Sequence, residues 1–100
     1  MGKSIPVEVQ GKLFANKTAL TLHMRELIGR YRVGAWLSPE DTAFCLALFR
    51  FHPDVESKFG PGIDRIEVRL DEYRNKHFQV HRRDGTNEDI SWVYCIRHAA

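Results

Sequence analysis

The chain has 100 residues, of which 43% are hydrophobic and 28% charged. That is the composition of one ordinary globular domain, not of a disordered or membrane-spanning chain. At this length only about two-thirds of the unfolded surface can be buried, so residues 1–100 are read as a single domain with one shared interior. A net charge of +2 is too mild to imply a polyanionic partner by itself, and the distribution of charge matters more. Arg74, Lys76, Arg82 and Arg83, with His77 and His81, run without an acid, whereas Asp84, Glu88 and Asp89 follow in a block.

The N-terminus shows neither the apolar run of a signal peptide nor a myristoylation start, since Pro6 stands where Ser or Thr is needed. No stretch approaches the roughly 18 apolar residues of a membrane span. Cys45 and Cys95 lack the CxxC spacing of a zinc or redox motif and are read as reduced thiols. A cytoplasmic protein without metal or cofactor is the expectation.

In chain order, Ile5 to Val9 and Lys12 to Phe14 flank Gln10-Gly11 and predict a short β-hairpin. Asn16 is placed to cap a first helix in which Leu20, Met24, Leu27, Ile28 and Tyr31 recur at helical spacing; Gly29 weakens it and Gly34 is expected to end it. Ser38-Pro39-Glu40-Asp41 starts a second helix, running to about Phe51: a capping hydroxyl, a proline at the first turn, and acids opposing the dipole. This helix is apolar nearly all round. Phe44, Leu48 and Phe51 should face the sheet, and Leu46 and Phe49, if left uncovered, would form an adhesive patch for a protein partner or a second copy.

Asp54 to Gly62 reads as a loop closing on the tight turn Gly60-Pro61-Gly62. Three alternating segments follow: Ile66, Val68 and Leu70; then Phe78 and Val80; then Ile90, Trp92, Tyr94 and Ile96. The fold class is therefore α+β, two N-terminal helices packed on a three-stranded antiparallel sheet spanning about residues 63–97, with a short N-terminal hairpin. Asp84-Gly85 marks the last turn. With Gly85 left-handed in a three-residue loop, Phe78 faces Ile90 and shares the core side with Trp92 and Tyr94. A register one residue away would instead put both aromatics outside, beside His77 and His81.

Phe51-His52-Pro53, Lys58-x-Gly60-x-Gly62-Ile63, Arg82-x-Asp84-Gly85-Thr86, Glu88-Asp89-Ile90-Ser91 and Cys95 together resemble the signature of the DCL-like family. The family is named for the plant defective-chloroplasts-and-leaves proteins and also occurs at the C-termini of the largest subunits of plant-specific RNA polymerases. The likeness covers about the second half of the chain. It departs at Ile90, where Phe is expected, and at Tyr94, where a basic residue is expected. The resemblance implies an RNA-associated setting, such as ribosomal RNA processing or RNA-directed silencing, but no mechanism. Stand-alone bacterial members, which this short chain is similar to, carry no assigned activity.

Two surfaces are candidates for function. With the aromatics buried, the opposite sheet face presents Arg65, Arg69, His77, His81, Arg83 and Arg97, and together with Lys58 it is the candidate for binding RNA or a ribonucleoprotein. The plainer alternative is a solvated face that keeps the sheet soluble. The motif residues His52, Pro53, Lys58, Gly60, Gly62, Arg82, Asp84, Gly85, Asp89 and Ser91 are read mainly as fastenings of turns; a metal-dependent nuclease built on His52, Lys58, Asp84 and Asp89 is the alternative. His77 and His81 cannot share a zinc ion, because four residues of strand span about 13 Å.

Overall fold

The computed structural model describes residues 5–99, so the readings of Met1 to Ser4 lie outside the described residues. The hairpin is present as β1 (Val7–Val9) and β2 (Lys12–Phe14). Gln10 at φ +52° and Gly11 at φ +76° turn it in the left-handed sense that matches strand twist. Val7, Val9 and Phe14 are buried, yet the hairpin forms its own two-stranded sheet.

Helix α1 (Lys17–Gly29) opens where the Asn16 side chain accepts from the Ala19 amide at 2.8 Å. It buries Leu20, Met24, Leu27 and Ile28. It stops at Gly29, earlier than expected, with the Arg30 amide returning to the Leu27 and Ile28 carbonyls. Gly34 instead begins an extended segment described below. Helix α2 (Pro39–Phe49) starts as the sequence predicts: Ser38 accepts from the Asp41 amide at 3.2 Å.

The adhesive patch expected on α2 does not form. Phe49 is fully buried, its ring 5.8 Å from that of Phe78, and Leu46 packs against the same core. The loop expected after His52 also contains a short helix, α3 (Val55–Phe59). Six residues between Pro53 and Gly60 are too few for a helical period to show in sequence.

The main sheet has the order β3 (Ile63–Leu70), β4 (Lys76–Arg82), β5 (Asn87–Ile90), all antiparallel. The three-residue loop 83–85 closes as expected, with Gly85 at φ +88° and the Arg82 amide donating to the Thr86 carbonyl at 2.8 Å. Phe78 therefore stands opposite Ile90. Ile66, Val68, Phe78, Val80 and Ile90 are all buried on one face of this sheet.

The expected last strand is cut short. It ends at Ile90, and the chain then turns into helix α4 (Trp92–Arg97), with the Ser91 hydroxyl accepting from the Tyr94 amide at 3.1 Å. Trp92, Cys95, Ile96 and Ala99 recur at helical spacing and are buried, so α4 joins the other helices over the sheet. Trp92 enters the core from a helix rather than a strand. Tyr94 points outward instead, 39% exposed. Arg97 leaves the sheet altogether, its carbonyl accepting from Lys17 Nζ at 2.9 Å.

Both cysteines are free and buried. Burial raises the Cys45 pKa and pushes that of Cys95 up to about 12, so neither carries the thiolate a nucleophile needs at neutral pH. No described helix is long and apolar enough to cross a membrane.

Candidate nucleic-acid interface

The helices leave the second face of the main sheet uncovered. The β3–β4 register places Arg65 opposite His81, Glu67 opposite Gln79 and Arg69 opposite His77. A further extended segment, residues 34–37, lies along the free edge of β3. The Gly34 amide donates to the Val68 carbonyl at 2.6 Å, the Val68 amide to the Ala35 carbonyl at 2.9 Å and the Leu37 amide to the Ile66 carbonyl at 2.9 Å. Strand alternation then decides where the side chains go. Leu37 is buried, while Trp36, bridged to Glu67, stands on the uncovered face at 40% exposure.

Trp36 is the functional candidate that the reading of the sequence missed. Only three residues separate Gly34 from the cap of α2, too few to show a strand period. A tryptophan between a glycine turn and a helix start was the available signal.

Around Trp36 the face is highly organised. The Arg65 guanidinium lies 3.7 Å from the indole centroid, a cation–π contact, and the His81 ring stands edge-on at 4.8 Å. Glu67 accepts from His81 Nε2 at 2.9 Å and from Arg69 Nε at 3.1 Å. One carboxylate thus holds an imidazole and a guanidinium in place beside the aromatic. Gln79 donates through Nε2 to Asn87 Oδ1 at 2.7 Å, which turns its oxygen toward His77 Nε2 at 3.3 Å. An oxygen there requires His77 Nε2 to carry the proton. His77 Nδ1 is buried with no partner among the described residues.

Of the seven residues expected on this surface, Arg65, Arg69, His77 and His81 share it. Lys58, Arg83 and Arg97 do not. Lys58 sits on α3 and bonds the Asp89 carbonyl at 3.3 Å and the Glu88 carboxylate at 3.4 Å. Arg83 lies in the hairpin loop against Gly62, where an added Cβ would come within 3.2 Å of its Nε. Arg97 belongs to α4.

The motif residues converge on Arg82, whose side chain is 11% exposed. Its Nε donates to the Lys58 carbonyl at 2.8 Å, one terminal nitrogen donates to Thr86 Oγ1 at 3.0 Å, and the other pairs with the Glu88 carboxylate. Gly60, at φ +53°, leaves room for it; a Cβ there would stand 3.1 Å from Arg82 Cδ. Asp84 accepts from the Thr86 hydroxyl at 2.6 Å and the Thr86 amide at 3.0 Å, which holds its carboxyl below the usual range.

His52 Nδ1 accepts from the Asp54 amide at 3.0 Å. Burial, then the nearby Lys58 charge, lowers its pKa. These groups tie the turn after α3 to the β4–β5 hairpin. Among the described residues no three His, Cys, Asp or Glu side chains converge as metal ligands would.

The chain is 29% identical over 102 residues to DNA-directed RNA polymerase IV subunit 1 of Arabidopsis thaliana, covering 95% of this chain and 7% of that protein. It is 35% identical over 72 residues to Protein DCL, chloroplastic, of Solanum lycopersicum, covering 69% of this chain and 32% of that protein. The chain thus spans a minor part of both plant relatives. The solution NMR structure of an uncharacterized protein from Rhodospirillum rubrum superposes with a TM-score of 0.87 at 38% identity, over 95% of this chain and 91% of that one. Residues 25–96 match the family described as protein of unknown function DUF3223, and the chain belongs to that family of DCL-like domains.

Proposed function

We propose that the domain is a non-enzymatic module that binds single-stranded RNA on the uncovered sheet face, with Trp36 as its stacking surface. The observation that carries this reading is the exposed Trp36 indole packed against Arg65 and His81 on a face that also holds Arg69. Single-stranded nucleic acid is held by a basic surface that follows phosphates, together with aromatic rings on which bases stack. The pairing of a planar guanidinium with an indole supplies both. Further support comes from similarity to a segment of a protein named as an RNA polymerase subunit.

A binding role also agrees with the use made of the titratable motif residues. His52, Lys58 and Asp84 bond backbone groups and neighbouring side chains, as residues that fasten turns do.

Titrating single-stranded RNA into isotopically labelled protein at low salt tests the reading. Shifts should concentrate on the Trp36 indole and on β3 and β4, and fade as salt rises. Shifts absent from these positions at low salt would reject it.

A further inference from the structure

At one end of the uncovered face, between the β3–β4 turn and the start of α4, lies an open groove of about 610 Å³. Its size falls within the roughly 300–1,000 Å³ of small-ligand sites, which combine apolar walls with a few placed polar groups. Here Ile28, Ile90 and Val93 supply apolar lining, and Arg74, Asn75 and Asp89 supply polar lining. His77 and Asp89 belong to both the groove and the uncovered face. The groove therefore adjoins that face.

Of the charged groups lining the groove, Asp71 accepts from the Tyr73 and Asn75 amides and Lys76 donates to the Tyr31 carbonyl, which leaves Asp89 and Arg74. Lys58 takes only the backbone carbonyl of Asp89 and gives its charge to Glu88. The Asp89 carboxylate pairs with no described residue. The Arg74 guanidinium likewise has no described partner, and its backbone is held at φ +64°. A ligand that fits must bring a flat apolar body, a hydrogen-bond donor for Asp89 and an anion for Arg74. A nucleotide with an exocyclic amine brings all three.

We infer that this groove receives one base of the bound RNA and selects for an exocyclic amine, so that cytosine is preferred to uracil. The inference rests on the RNA-binding reading of the adjoining face. Cytosine offers its N4 amine to a carboxylate, whereas uracil offers a carbonyl oxygen at the same position, and two acceptors repel.

Fluorescence anisotropy with labelled oligo(C) and oligo(U) RNA tests this. The unaltered protein should bind oligo(C) about tenfold tighter, the scale of one good base contact. Asp89→Asn removes the charge and adds a donor that uracil can use. Val93→Trp, at an exposed position on α4, fills the groove mouth without altering charge. In each variant the two affinities should converge to within about twofold. Equal binding of both oligomers by the unaltered protein, or a preference that survives both variants, would overturn the groove assignment alone. If neither oligomer binds the unaltered protein, the reading of the whole face fails and takes the groove with it.

Discussion

The Arg65 guanidinium stacks 3.7 Å from the centre of the Trp36 ring, although the two residues come from different segments. Only the hydrogen bonds between residues 34–37 and β3 bring them together. The contact ties an edge of the sheet to its functional candidate, and it leaves the outer side of the pair open to solvent. The core, in contrast, is closed by three helices and the β1–β2 hairpin on the opposite face.

Arg82 fastens the fold and does not contact the proposed interface. Arg82→Ala should cost about 1–3 kcal/mol in urea unfolding, because it removes the donors to the Lys58 carbonyl and Thr86 Oγ1 and leaves the part-exposed Glu88 carboxylate with Lys58 alone. Gly60→Ala should cost about 1–3 kcal/mol, from its positive φ and its approach to Arg82. RNA affinity per folded molecule should stay unchanged in both.

Ser91 decides whether the chain beyond Ile90 is a helix. Ser91→Ala removes the bond to the Tyr94 amide and should destabilise the protein by about 1 kcal/mol. Amide exchange at Tyr94 and Cys95 should quicken more than exchange in β4.

Acid should weaken the fold through His23. Its ring packs 5.1 Å from that of Phe14 and 4.9 Å from that of Phe44, and burial, reinforced by Lys12 and Arg30, lowers its pKa from 6.5. The unfolded chain therefore takes up the proton first. Stability is whole above pH 6.5 and declines as pH falls from there through the lower folded value. His52, lowered mainly by its burial, adds to the same decline. Urea midpoints at about pH 5 and about pH 8 should differ less in His23→Phe than in the unaltered protein.

Much of the fold is legible in sequence because local signals there are chemically explicit. Asn16 and Ser38 are capping side chains before apolar periods, and both cap as read. Gly85 fixes the last turn and with it the β4–β5 register, while the alternation of β3 and β4 puts Arg65, Arg69, His77 and His81 on a common face. Residues 92–97 defeat the same reasoning, because Trp92, Tyr94 and Ile96 satisfy a strand period while Trp92, Cys95 and Ile96 satisfy a helical one. The cap at Ser91 and the burial of Cys95 favour the helix. Arg97 is lost from the expected face as a direct result. Trp36 is hidden for another reason: its position depends on pairing with a strand thirty residues away, which no local pattern encodes.

The most direct test of the account is the affinity of Trp36→Ala for single-stranded RNA at low salt. Trp36 is 40% exposed, so its removal leaves the core intact, and thermal unfolding should change little. Loss of one stacked base, about 1–3 kcal/mol, predicts weakening of roughly five- to 150-fold. A folded Trp36→Ala protein that binds RNA as tightly as the unaltered chain would contradict the account.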